Sequence, residues 1–307
     1  MAELLRCQDA RIDVGGSVAL EGLSFVIDAE RAALIGQVSP LLRLFSGGAE
    51  ITAGQVSVGG QAPSAALRSG EAGFAPLDLE LPPKFTVLDY LVESARLLGV
   101  SQRQAEALAR AAIDGLGLGQ IAARPLERSS LPERRALSIA HARLGEPKVL
   151  VVESPLLGLE PPAQTFVTEV LDRAAFGRRL LISAPALDGD PAEVDLLRRM
   201  DDLVVLEHGQ PVAQGSPGDI LSGSRRYQLR VFTGGGRLKD RLTERGCEVT
   251  LRTGAPLPGG DAGADERDAL LVVSLAPGLG TRDLVAAADA ADASLYELVP
   301  LRPEAPG

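Results

Sequence analysis

Apolar and polar positions along the chain change period several times. In the first sixty residues they alternate: "VALEGLSFVID" (18–28) has the period of a strand, and "AGQVSVGGQ" (53–61) is a strand ending in a Gly-Gly turn. The period then becomes helical. "FTVLDYLVESARLLGV" (85–100) sets Val87, Leu88, Leu91, Val92, Ala95 and Leu98 on one face, opens on Thr86 as a cap and stops at Gly99. "SQRQAEALARAAIDGLGLG" (101–119) repeats the pattern behind Ser101, with the glycines of 115–119 as helix stops. "PERRALSIAHARLG" (132–145) opens on Pro and closes on Gly. "KVLVVESP" (148–155) and "RRLLISAP" (178–185) are unbroken apolar runs, the mark of strands covered on both faces, with a helix over 161–176 between them. "DDLVVLEHGQPVAQG" (201–215) predicts a hairpin turning at His208-Gly209. Strands alternating with helices make an α/β domain, which this pattern ends near residue 222.

The tail follows another order. "YQLRVFT", "GRLKDRLTERG" and "CEVTLRT" read strand, helix, strand over 227–253, and 254–265 form a polar loop. "DALLVVSL", "GTRDLVAAADAAD" and "SLYELVPLR" then read strand, helix, strand. The sequence β-α-β-β-α-β is that of the split ferredoxin-like unit.

Composition narrows the function. A chain of 307 residues with 45% hydrophobic content can bury a sizeable core, and with no Trp it must rest on Leu, Val, Ile and Ala. A net charge of −10 argues against nucleic acid as a partner; Arg198-Arg199 and Arg225-Arg226 read as solvated helix ends. No basic-then-apolar start suggests a signal peptide, and no run reaches the ~20 residues that span a bilayer. Cys7 and Cys247 lack metal-ligand spacing and are expected as free thiols. His141, inside a helix, and His208, at a turn, offer little material for a triad or metal site. Glu153, Asp188 and Asp190 could be drawn as a metal cluster, but Asp188 and Asp190 read better as a solvated Gly/Pro loop.

"ALIGQVSPLLRLFSGG" (33–48) is the informative stretch. It outlines a strand to Gly36, a turn of Gln37, Val38, Ser39 and Pro40, and a helix over 41–47. With "ARLGEPKVLVVESPLLGLEPPAQ" (142–164) and "MDDLVVLEHGQPVAQGSPGDI" (200–220), it resembles the ATP-binding subunits of ABC transporters, especially ABC-2-type and gliding-motility-associated exporters. The resemblance runs over 3–222. It implies an α/β fold with an ABC-type P-loop NTPase-like domain at 1–222, a mixed sheet with helices and a helical subdomain at about 77–145. A small α+β ferredoxin-like C-terminal domain at 223–307 follows.

The same resemblance marks what has been lost. The family's phosphate loop is a glycine-rich turn ending in Lys and Ser/Thr; here the turn after Gly36 is about four residues shorter and holds no Lys. Neither Asp13 nor Val14 can stack on adenine, and Leu77 stands at the Gln that reaches the metal. In the signature, only Ser130 matches: Leu131 and Pro132 replace the two glycines, and Glu133 brings a charge that repels phosphate. Glu153 replaces the metal-orienting Asp, Ser154 the general-base Glu and Pro185 the switch His. Phosphoryl transfer is nearly all positioning and charge stabilisation, and such groups contribute about 3 kcal/mol each.

The expectation is a catalytically inactive subunit with no catalytic residue, no bound metal and no ATP. Gly36, Gln37, Ser39, Leu77, Ser130, Glu133, Glu153, Ser154 and Pro185 form a vestigial nucleotide face. The expected partner is an integral membrane permease received beside 77–100, with the chain peripheral on the cytoplasmic face of the inner membrane. One alternative is an unusual ATPase subunit that binds ATP and Mg²⁺ with the help of an active ATPase partner in a heterodimer. Another is a sensing role for the tail domain.

Overall fold

The computed structural model describes residues 3–187, 190–221, 226–253, 269–276 and 279–301. The chain divides into two compact units, Met1–Pro211 and Val212–Gly307.

In the first unit, β1 (Leu5–Val14), β2 (Ser17–Ile27), β3 (Arg31–Gly36), α1 (Ser39–Ser46), β4 (Glu50–Val58), α2 (Pro63–Arg68) and β5 (Ala72–Ala75) come first. The helices α3 (Val87–Arg96), α4 (Gln102–Leu116) and α5 (Leu131–Arg143) follow. The chain then returns to the sheet with β6 (Val149–Val152), α6 (Pro161–Ala175), β7 (Arg179–Ala184), α7 (Pro191–Arg198), β8 (Asp202–Glu207) and β9 (Gln210–Gly215), the last crossing into the second unit.

Two sheets organise these elements. An antiparallel sheet has the order β2-β1-β4, and a larger one the order β5-β6-β7-β3-β8-β9. Strands β5, β6, β7, β3 and β8 are mutually parallel. Every residue of β6 is buried, as are 180–184 of β7, which is why these strands read as unbroken apolar runs. A fully buried Leu such as Leu150 contributes about 2 kcal/mol by its removal from water. The β8–β9 hairpin turns at His208 and Gly209 with φ of +50° and +78°, the twist such hairpins require.

Helix ends follow the sequence signals. Thr86 and Ser101 cap α3 and α4 through capping boxes with Asp89 and Gln104, and left-handed Gly117 stops α4. Two expectations need correction. The helix expected over 41–47 starts at Ser39, because Pro40 fits the first turn and Val38 already accepts its first backbone bonds. The strand expected over 148–155 ends at Val152, because Ser154 turns the chain with φ +40°. Asp190 is exposed before α7, as expected, and its carboxylate also takes the N–H groups of Ala192 and Glu193 (3.1 and 3.2 Å), capping that helix. Asp188 lies outside the described residues.

The second unit contains α8 (Pro217–Leu221), β10 (Arg226–Val231), α9 (Gly235–Glu244), β11 (Glu248–Thr253), β12 (Ala269–Ser274), α10 (Thr281–Ala290) and β13 (Leu295–Leu301). Its sheet has the order β11-β12-β10-β13, all neighbours antiparallel, which is the split βαβ arrangement. Tyr227, Leu229, Leu238, Leu271, Val273 and Leu284 fill its core. The residues before β10 belong to this second unit. Tyr227 donates to Asp219 at 2.8 Å, and the backbone at Gly280 lies against Gln214. The polar stretch 254–265 lies outside the described residues. Among the described residues, no helix is long and apolar enough to cross a membrane.

Candidate functional site

Because β6, β7 and β3 are parallel neighbours in register, their C-terminal ends present Glu153, Pro185 and Gly36 along one edge of the sheet. Crevices at this end of a parallel sheet are where α/β proteins bind ligands.

At β3, the connection to α1 is two residues long, Gln37 and Val38. Gly36 has φ +98°, and a Cβ there would stand 2.3 Å from the carbonyl oxygen of Leu206. Three backbone donors at this turn are used locally. Val38 N–H donates to the Gly36 carbonyl (2.9 Å), and Leu41 and Leu42 N–H donate to the Val38 carbonyl (3.0 and 3.1 Å). Pro40 has no N–H to offer. Gln37 and Ser39 are exposed, whereas Leu41, Leu42, Leu44 and Phe45 anchor α1 beneath them, with Phe45 stacked on Phe74 at 5.3 Å. The only basic residue of α1, Arg43, sits in its last turn, away from the sheet edge.

At β6, Glu153 and Leu77 come together: the Glu153 carboxylate accepts the Leu77 N–H at 3.1 Å, and Glu153 N–H donates to Ala75. Ser154 is left-handed, and its N–H and hydroxyl both meet the Ser183 hydroxyl (3.0 and 3.2 Å). Pro185 is exposed beyond the end of β7. Asp13, on β1, accepts from Thr52 at 3.1 Å.

At α5, Ser130 and Glu133 form a unit of their own. The Glu133 carboxylate accepts the Ser130 N–H (2.8 Å) and hydroxyl (2.9 Å) and pairs with Arg124. Burial pushes the Glu133 carboxyl up, but the Ser130 donors and the Arg124 guanidinium outweigh it and hold it below its ordinary value. The start of α5 is thus covered by its own carboxylate, with Pro132 removing a further donor and Leu131 exposed. Replacing Glu133 by Ala should cost about 1 kcal/mol, measured as a fall in Tm. Its folded pKa is depressed, so this stability is present above the unfolded glutamate value and lost as pH falls through the folded one. The Tm difference between wild type and variant should therefore shrink on acidification from about pH 7 to about pH 3.

Two residues outside the sequence-predicted set matter here. Arg135 on α5 is 7% exposed; burial pulls its pKa down, and the carboxylates of Asp78 and Glu153 act against that. The sequence carried a faint signal, an Arg pair inside a helix whose flanking Ala136, Leu137, Ile139 and Ala140 leave little room for a solvent face. His141 shares a 2.8 Å hydrogen bond with Tyr90 of α3, and burial lowers its pKa, so the two helices are tied through a neutral imidazole. Among the described residues, no group of His, Cys, Asp and Glu could hold a metal ion.

No protein-family model matches the chain. Among curated proteins, the Nod factor export ATP-binding protein I of Burkholderia lata is 30% identical over 215 residues, covering 67% of this chain and 69% of that one. The daunorubicin/doxorubicin resistance ATP-binding protein DrrA of Streptomyces peucetius is 33% identical over 171 residues, covering 54% and 50%. Among solved structures, cbiO1 of Clostridium perfringens, part of the ABC transporter complex cbiONQ, aligns with a TM-score of 0.58 at 18% identity over 71% of this chain and 90% of its own. An ATP-binding cassette of an ABC transporter in its ADP conformation gives 0.58 at 22% identity over 72% and 96%. These structural likenesses speak for the fold.

Proposed function

Because this chain belongs to the family of ABC transporter ATP-binding subunits, we propose that it serves its transporter as a subunit that neither holds nor hydrolyses ATP. The observation that carries this reading is the two-residue turn between β3 and α1. A triphosphate needs a nest of free backbone N–H groups and a lysine; this turn has no lysine, and the N–H groups of Val38, Leu41 and Leu42 are bound within it.

The other contacts a Mg²⁺-triphosphate requires fit no better. The start of α5 is taken up by Glu133, whose negative charge opposes a phosphate. Glu153 is bonded to the Leu77 backbone, and Ser154 lacks the basicity to activate water. Pro185 has no polar side-chain atom to offer. The residues therefore do not fit Mg-ATP. Cores, caps and sheet register are meanwhile intact, as a structural or regulatory role requires.

In this reading the chain docks on a membrane permease from the cytoplasmic side through the surface beside 77–100, where Phe85, Leu97 and Leu98 are exposed and α3 is braced by the Tyr90–His141 bond. The name of cbiO1 as part of a transporter complex supports the docking role. Equilibrium binding of labelled ATP with Mg²⁺, run beside a phosphate-release assay, tests the proposal. The expected result is no saturable binding up to about 1 mM nucleotide, a ceiling of roughly 4 kcal/mol, and no turnover above buffer. Micromolar binding with steady turnover would overturn it.

A further inference from the structure

A cleft of about 460 Å³ opens on the first unit between the end of α4, the 3₁₀ turn Gly119–Ile121 and the starts of α5 and α6. Buried Leu118 and Ile121, with half-buried Pro132, Ala163 and Phe166, give it an apolar lining. Its size and lining are those of a small-molecule site, which then takes its specificity from a few polar groups.

Two helix starts flank the cleft, a setting that ordinarily offers free N–H groups to an anion. Here those donors are withdrawn. Pro132, Pro161 and Pro162 carry no N–H. The N–H groups of Ala163 and Gln164 both go to the Glu160 carbonyl (2.9 and 3.0 Å), and that of Arg134 goes to the Ser130 carbonyl (3.0 Å). The Ser130 N–H is held by Glu133 at 2.8 Å. What the cleft offers is an acceptor. Among its described lining residues Glu133 is the charged one, with its side chain 14% exposed. Its Oε2 takes both Ser130 donors, while Oε1 meets only Arg124, which does not line the cleft, and keeps a lone pair to spare.

We propose that this cleft binds a small organic cation, an amine whose apolar body lies against Leu118, Ile121 and Phe166 and whose ammonium donates to Glu133. An anion would find no donor and would meet a carboxylate; a hydrocarbon would strip water from Glu133 and leave it unpaid in hydrogen bonds. Phe166 adds an aromatic face, which attracts a cation. Arg124 is the competitor: its guanidinium is 41% exposed, and an ion pair so placed is weak enough to yield to a donor inside the cleft. The site needs no nucleotide and does not depend on how the chain treats ATP.

The probes are phenylbutylamine and phenylbutyrate, which share a body and differ in the sign of their charge. Binding to the full chain without nucleotide is followed by calorimetry and by the NMR shifts of the Leu118 and Ile121 methyl groups. The amine should bind with a Kd below about 1 mM and move those methyls, and the carboxylate should bind at least about tenfold more weakly. Glu133→Gln keeps an acceptor for Ser130 but loses the charge, and should weaken the amine at least about tenfold without weakening the carboxylate. Arg124→Ala frees Oε1 and should tighten the amine. Should Glu133→Gln fail to fold, Ala163→Phe, which fills the cleft, should abolish amine binding. Equal binding of the two probes, or shifts confined to methyls elsewhere, overturns the proposal. So does amine binding that is unchanged by Glu133→Gln or by Ala163→Phe, or weakened by Arg124→Ala.

Discussion

Gly36→Ala is expected to destabilise the first unit by on the order of 4 kcal/mol, read as a fall in the urea midpoint without a change in slope. Two independent causes add. The φ of +98° is strained for any residue with a Cβ, and that Cβ would lie 2.3 Å from the Leu206 carbonyl oxygen, an atom fixed in the β3–β8 ladder. Neither can relax without parting two central strands. Gly158→Ala separates the causes: its φ is +74° with nothing within 4 Å of the added carbon, so it should cost only about 1 kcal/mol. A Gly36→Ala protein within about 1 kcal/mol of wild type would show that the turn is not held as described.

The second large effect concerns activity. Ser154→Glu alone should produce no ATP turnover, because a general base has nothing to act on where no phosphate is held. A longer glycine-rich loop ending in Lys and Thr, grafted between Gly36 and the buried face of α1, should introduce ATP binding in the range below about 100 μM, at least tenfold tighter than the parent chain. Loop insertions at a surface turn cost little in closure entropy, so the sheet should tolerate it. Turnover should stay at background in the graft and appear only when Ser154→Glu and Pro185→His are added, with Leu131 and Pro132 changed to Gly. Radiolabelled ATP retention and phosphate release measure the two steps separately. Turnover from Ser154→Glu in the ungrafted chain would contradict the reading of the β3–α1 turn.

Much of the frame was legible because its signals are local and strong. Unbroken apolar runs marked β6 and β7, period and caps marked α3 and α4, and the order of elements in the tail anticipated the β11-β12-β10-β13 sheet. The short turn between β3 and α1 was legible as a count of residues after Gly36. Other features depend on contacts between distant segments and leave no local trace. Glu133 read as a charge facing a phosphate, yet it turns back on Ser130 and Arg124. Asp190 read as loop acidity, yet it caps a helix. Arg135 carries no strong local mark, yet tertiary packing leaves it only 7% exposed. A single side-chain bond, Tyr227 to Asp219, helps fasten the turn before β10 to the second core, and no local pattern announces it.

The strand order β5-β6-β7-β3-β8-β9 has a consequence for how the chain matures. Strand β3 emerges early in synthesis, but its ladder partners β7 and β8 lie roughly 150 and 170 residues further on. The antiparallel β2-β1-β4 layer can close as soon as Val58 is made, whereas Ala32 to Ile35 must wait as an unpaired apolar strand until the ribosome has passed Ala184, and keep one open side until it has passed Glu207. Chains interrupted before that point carry an open, sticky edge at the centre of the future sheet, and these unfinished products are the ones most exposed to aggregation and to chaperone capture.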